Sequence, residues 1–197
     1  MLIDKNKTYQ VGPYTYRNFI TLSLEEKLMI LRERNHPDVK KWMFTKEDIQ
    51  EESHLAFIEG LKDRDDKYYW LMEREGEAVG VLSIIHCDFE KEEGEPGYYL
   101  FASQQDGGIG LEMQYYYKKF FFEALGVKNI FGHLLYGNTN AYMMSCFFGA
   151  VKDGEVTEDG RRYLVMHTPK ENFEKISPEK LTLQFVKYVK ANRVVWE

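Results

Sequence analysis

The sequence predicts a mixed α/β (α+β) domain, a mostly antiparallel sheet of about seven strands flanked by helices, with a C-terminal helical tail. Three observations predict it. Short alternating or uncharged runs, separated by turn residues, recur along the chain as strands do. Two helical patterns, with apolar residues at intervals of three and four, interrupt them early, between Leu24 and Leu61. Finally, the run Gly97-Tyr98-Tyr99-Leu100-Phe101-Ala102-Ser103 passes through Gln104-Gln105-Asp106-Gly107-Gly108-Ile109-Gly110 into a helical stripe of Leu111, Met113, Tyr116, Tyr117, Phe120, Phe121 and Ala124. That is strand, glycine loop, helix.

Taken in order, residues 1–13 read as a loose arm or a short edge strand ending in Gly12-Pro13. Tyr14 to Ile20 alternates as a strand. Ser23 caps a first helix, with Glu25 and Glu26 in its first turn, where negative charge suits the helix dipole. Pro37 stops it, and residues 35–44 read as an irregular connection. Thr45, with Asp48 three residues on, reads as the cap of a second helix lined by Ile49, His54, Leu55, Phe57, Ile58 and Leu61. Tyr68–Glu73 and Ala78–Cys87 are strands joined by a turn at Glu75-Gly76-Glu77. A charged turn at Glu90–Gly94 leads to a strand over Glu95–Ser103. After the loop and its helix, Gly126 stops the helix and Val127–Leu135 is a strand. Asn138 to Phe148 is a short helix ended by Gly149. Ala150-Val151 and Arg161–Thr168 form a last hairpin, with Asp153-Gly154 and Asp159-Gly160 as turns. Ser177-Pro178-Glu179 starts a tail helix with Leu181, Phe185, Tyr188 and Val189 on its apolar side.

The totals exclude several classes. A chain of 197 residues, 44% hydrophobic and 15% aromatic, suits one globular domain with a substantial core. A net charge of −6 and a pI of about 5.5 argue against nucleic acid as the main partner, because a phosphate backbone needs a cationic face. The two cysteines, Cys87 and Cys146, form no C-x-x-C, and the histidines are not clustered, so neither a disulfide framework nor a metal site is expected. No apolar run reaches membrane-spanning length and no signal-peptide pattern opens the chain. The expectation is a soluble cytoplasmic protein with no membrane partner.

The glycine loop carries the chemistry. A helix start leaves backbone N–H groups unpaired, and glycine lets the chain approach a phosphate closely. Alone, such a loop reads first as an ordinary tight turn. It lacks the Gly-Lys-Ser/Thr of the Walker loop and the spaced glycines of the dinucleotide fingerprint. Gln105-x-x-Gly108-x-Gly110 does resemble the Q/R-x-x-G-x-G/A signature of the GNAT acetyltransferases, and the element order from Tyr14 to Thr168 is that of the GNAT fold. The resemblance implies a GNAT domain over residues 1–168 and a helical extension over 169–197. It also implies acetyl-coenzyme A as co-substrate, its pyrophosphate held by Gln105, Gly107, Gly108, Ile109 and Gly110. Backbone N–H groups near Phe101 and Ala102 would meet the oxyanion. Ala102 and Ser103 would pair with the pantetheine amides as an extra strand would. Asn138 and Asn140 either hold pantetheine or cap their helix, and capping is favoured.

Acyl transfer needs a neutral amine, hence a base. In the family a carboxylate on the strand before the loop commonly serves, and Glu95 stands in that place; an exposed turn glutamate is the bland alternative. His86 is the second candidate, although a lone histidine on an apolar strand is more often structural. The leaving thiolate usually takes a proton from a tyrosine in N-x-x-A-x-x-x-Y-x-x-F-G. Here Asn138-x-x-Ala141-x-x-x-Ser145-x-x-Phe148-Gly149 has Ser145 instead. The acid is then Tyr142 one turn earlier, a water, or absent, which leaves open a weakly catalytic coenzyme A-binding relative.

Upstream, Arg34-Asn35-His36-Pro37-x-x-x-x-Trp42-Met43, followed by Glu51-Glu52, His54-Leu55 and Phe57-Ile58, resembles the amino-sugar N-acetyltransferases of flagellin glycosylation on the pseudaminic acid route. That implies a small-molecule acceptor, the 4-amino group of a UDP-linked amino-deoxy sugar, contacted by Asn35, His36, Trp42, Met43 and His86. His36 as a turn cap and Trp42 as core are the structural alternatives. A protein N-terminus or a polyamine remains open as acceptor, and so does a homodimer.

Overall fold

The computed structural model describes residues 3–41, 43, 46–105 and 108–196. The chain divides into two compact units, one of residues 1–89 and 96–110, the other of residues 90–95 and 111–197.

In the first unit, β1 (Tyr9–Val11), β2 (Tyr14–Asn18), β3 (Tyr68–Arg74) and β4 (Glu77–Asp88) follow one another antiparallel, and β5 (Glu93–Leu100) lies next to β4. The central strands are buried on both faces. Leu71 and Val81, paired in register, join Phe19, Leu22, Ile30, Ile58, Leu61 and Phe101 in one core cluster. Tyr14, Tyr16, Tyr68, Trp70, Met72 and Leu82, on the alternate positions, are also buried. The helices are α1 (Leu24–Asn35), α2 (Pro37–Lys40) and α3 (Glu51–Gly60). Ser23 caps α1 as expected, and Glu26 completes a reciprocal capping box. Arg17 of β2 forks onto Glu73 of β3 and also meets Glu26, which ties the sheet to α1. That guanidinium holds the Glu26 carboxyl below its usual pKa.

In the second unit, residues 93–95 of β5 adjoin β6 (Asn129–Leu135), which pairs with β8 (Arg161–Pro169), which pairs with β7 (Val151–Glu158). The β5–β6 pairing is parallel, Glu93 with Asn129 and Gly94 with Ile130. The helices are α4 (Gly110–Lys119), continued by a π-turn at Phe120–Ala124, then α5 (Thr139–Phe147), α6 (Lys170–Phe173) and α7 (Leu181–Ala191). Phe185 and Tyr188 of α7 dock edge-on against Phe147 of α5 at 5.2 and 5.6 Å. The sheet is the expected mixed, mostly antiparallel one, with eight strands because the N-terminal arm does form β1.

Several boundaries differ for local reasons. Residues 37–40 are a helical turn rather than irregular chain, since proline suits the first helical position and His36 caps it. The next helix starts at Glu51, not after Thr45, which lies outside the described residues. Ile49 stays out of it because the Asn35 side chain takes both its backbone groups, at 2.9 Å each. β5 ends at Leu100 and residues 102–104 form a 3-10 turn. Asp153-Gly154 is no turn: it sits inside β7 at a register shift, and the hairpin closes at Asp159-Gly160, both left-handed. In the tail, Ser177 Oγ accepts from the Glu179 N–H and Lys180 is left-handed, so α7 waits until Leu181. Val189 lies on the exposed side of α7.

Candidate active site

The glycine loop ends where α4 begins, at Gly110. Gly108 has φ +70°, a conformation that favours glycine, and a Cβ on Gly108 or Gly110 would meet nothing within 4 Å. There is open space beside both glycines, and the first turn of any helix carries N–H groups that have no partner within the helix. These residues fit a pyrophosphate. Gly107 lies outside the described residues. Ile109 is half-buried and, with Gln104, Val79 and Arg74, lines a cavity of about 210 Å³. The Gln105 amide donates to the carbonyls of Leu100 and Asp38, at 3.4 Å each, and so braces the loop against the end of β5 and α2.

At the end of β5 the expected oxyanion donors already have partners. The Phe101 N–H donates to Val79 O at 3.0 Å. The Ala102 N–H donates to Glu33 Oε2 at 3.2 Å, across 69 residues of sequence. Ser103 is exposed within the 3-10 turn. Glu33 had no signal in the sequence; it is one more charged residue on a surface helix. Its carboxylate and the Arg34 guanidinium also act on the Tyr99 phenol, whose pKa burial pushes well up.

Glu95 is not an exposed turn residue. It is half-buried on β5, with Oε1 3.3 Å from His133 Nδ1 on β6. Gly132 of β6 lies beside the Glu95 side chain, and a Cβ there would make only an ordinary contact, 3.8 Å from that oxygen. A carboxylate paired with an imidazole can take a proton and hand it on. His133 was passed over because its pairing depends on strand neighbourhood. His86 is exposed, not core, and its backbone is left-handed at φ 51°, a strained state for a side-chain-bearing residue.

On α5, Asn138 caps the helix, its Oδ1 accepting the Ala141 N–H at 3.1 Å. Asn140 is exposed in the first turn. Ser145 is half-buried, and its carbonyl accepts the Ala150 N–H at 3.0 Å. The Tyr142 hydroxyl bonds to Cys146, and burial together with that thiol raises its pKa, which weakens it as an acid.

Of the residues expected at the acceptor, Asn35 is committed to Ile49. His36 Nδ1 accepts the Asp38 N–H at 3.2 Å and remains exposed. Trp42 lies outside the described residues. Met43 is half-buried, its N–H on Lys40 O. The first unit thus gathers Glu33, Ala102, Gln105 and Asp38 around the loop, and the second pairs Glu95 with His133.

A family model described as an acetyltransferase (GNAT) domain matches residues 19–143. The chain belongs to the GNAT acetyltransferases. It is accordingly an acyltransferase that uses acetyl-coenzyme A. It is 30% identical over 130 residues to the acetyltransferase PseH of Campylobacter jejuni (serotype O:2), covering 64% of this chain and 76% of the relative. The crystal structure of the C. jejuni N-acetyltransferase PseH in complex with acetyl coenzyme A superposes with a TM-score of 0.61 at 20% identity, over 80% of this chain and 99% of that one. A spermidine N-acetyltransferase from Vibrio cholerae, in complex with CoA and spermine, gives 0.71 at 14% identity, over 83% and 99%. At these identities the structural likenesses speak for the fold. Among the described residues no helix is long and apolar enough to cross a membrane.

Proposed function

We propose that this acetyltransferase acetylates the 4-amino group of a UDP-linked amino-deoxy sugar, in the manner of the pseudaminic acid pathway. The observation that carries the reading is the 30% identity to PseH over 130 residues. The Asn35-His36-Pro37 and Trp42-Met43 pattern supports it.

Acetyl-coenzyme A supplies the activated acyl group as a thioester. Gly108, Gly110 and the start of α4 hold its pyrophosphate through backbone N–H groups. Glu95 accepts the proton of the incoming amine, and His133 holds the carboxylate in place and carries the proton onward. The Ala102 N–H is kept in position by Glu33 until a carbonyl oxygen takes that carboxylate's place. With Tyr142 turned to Cys146, protonation of the thiolate falls to water; a thiol of ordinary pKa, about 8.5, leaves without strong assistance.

The test is acetyl transfer by the purified chain to a UDP-4-amino-4,6-dideoxy sugar, to spermidine and to a peptide amine, read by free thiol. The nucleotide sugar is expected to exceed the others in kcat/KM by about a hundredfold or more, roughly 2.7 kcal/mol of transition-state preference. Faster turnover of spermidine or the peptide overturns the acceptor assignment while leaving the acetyltransferase intact.

A further inference from the structure

The β7–β8 hairpin, α5 and residues 193–196 of the second unit line a cavity of about 330 Å³ that the acyl-transfer roles above do not use. Its lining carries three aromatic rings, Tyr136, Tyr142 and Trp196, and three cations, Lys152, Arg162 and Arg193, against one carboxylate, Glu155. The rings are fixed in place. Trp196 Nε1 donates to Thr139 Oγ1 at 2.9 Å, and its ring meets Tyr136 and Tyr142 edge-on at 4.8 and 5.5 Å. Two cations are ordered as well. The Arg162 guanidinium lies 3.9 Å from the Tyr136 ring centre, and Glu155 accepts from both Arg162 and Lys152. Arg193 is exposed and makes no ion pair among the described residues.

The geometry points to a subsite for a nucleoside diphosphate, the base against the tyrosine and tryptophan rings and the phosphates against Arg162, Arg193 and Lys152. Aromatic faces bind a base by stacking, at about 1–3 kcal/mol per base. Guanidinium forks match phosphate oxygens, and a fork already held loses little freedom on binding. An apolar ligand would strip water from three cations for no return, and a bare phosphate would leave the rings unused. The volume falls at the lower end of ligand pockets, roughly 300–1,000 Å³. The occupant with this chemistry is the uridine diphosphate of the acceptor, which rests on the reading above; the pyrophosphate of coenzyme A belongs to the glycine loop.

Calorimetric titration of the full chain with UDP, with 3′-phospho-ADP and with inorganic pyrophosphate decides it. UDP is expected to bind at least tenfold more tightly than pyrophosphate. Arg193→Ala and Trp196→Ala should each weaken UDP about tenfold; Arg193, being exposed, should leave Tm unchanged. A response of UDP affinity to both substitutions assigns the site to the acceptor, and a response of 3′-phospho-ADP affinity in its place overturns that assignment. Absence of UDP binding, or UDP affinities within twofold in both variants, overturns the subsite. If UDP-amino sugar is acetylated while UDP affinity ignores both substitutions, the subsite falls and the acceptor reading stands. If UDP binds here but its amino sugar is not acetylated, the acceptor reading falls and the subsite stands.

Discussion

Glu95 and His133 sit on neighbouring strands with carboxylate and imidazole 3.3 Å apart, and the proposed proton transfer turns on this pair. Glu95→Gln should lower kcat by about a hundredfold or more, the scale of a lost general base, and flatten the acid limb of the pH–rate profile. An unchanged profile would remove Glu95 from that role. Gly80 makes a different point. A Cβ there would stand 2.3 Å from Tyr99 O, so β4 and β5 approach more closely than any side chain permits. Gly80→Ala should cost about 1–3 kcal/mol in urea unfolding, the range for overpacking. Both Glu95 and Gly80 could be read as residues in the sequence, but only Glu95 suggested a role there. Glu33 and His133 suggested none, because a charge on a helix surface and a histidine on a strand acquire partners only when distant segments meet.

At the scale of elements, local chemistry was legible wherever it closes on itself. The α1 capping box consists of the Glu26 N–H on Ser23 Oγ at 3.2 Å and the Ser23 N–H on Glu26 Oε2 at 2.8 Å. Ser23→Ala should therefore cost about 1 kcal/mol, measured by the denaturation midpoint at constant m-value. The strand–loop–helix unit was legible for the same reason, since glycine at a helix start has few uses. Gly108→Val should weaken acetyl-coenzyme A binding about tenfold or more while costing the fold about 1–2 kcal/mol, the penalty of a left-handed side-chain residue. Equal cofactor affinity would dismiss the loop from phosphate binding. What the sequence misplaced were ends: the start of α3, the end of β5 and the interior of β7. Each was moved by a bond from elsewhere or by a bulge, Asn35 holding Ile49, Glu33 holding Ala102, and the shift between Lys152 and Gly154.

At the scale of the whole molecule, one buried cation shapes how stability depends on pH. Lys118 on α4 is 4% exposed, with Nζ on Gln114 Oε1 at 2.7 Å and on the Tyr117 hydroxyl at 2.6 Å, beside the Phe148 ring. Burial pushes its pKa down to about 7 from the ordinary 10.5. Between those two values the unfolded chain binds one proton more than the folded chain. Stability should therefore rise with pH above 7, by up to about 1.4 kcal/mol per pH unit from this group. Lys118→Met should remove that rise between pH 7 and 9, as read by Tm; a persistent slope would point to other groups. The same whole-chain readout follows the cofactor. Acetyl-coenzyme A at a hundredfold its Kd should add about 2.7 kcal/mol to unfolding.

The sequence by itself determined the element order, the helix caps at Ser23 and Asn138, the glycine loop and the family, because each is encoded in residues close together in the chain. The tertiary structure alone decided that Glu33 meets Ala102, that His133 meets Glu95, that Asn35 braces Ile49, and that Trp196 closes against Tyr136 and Tyr142. The physical reason is one of range. Propensity and periodicity act over a turn or a strand, whereas a hydrogen bond across 69 residues exists only after packing has brought its two ends together.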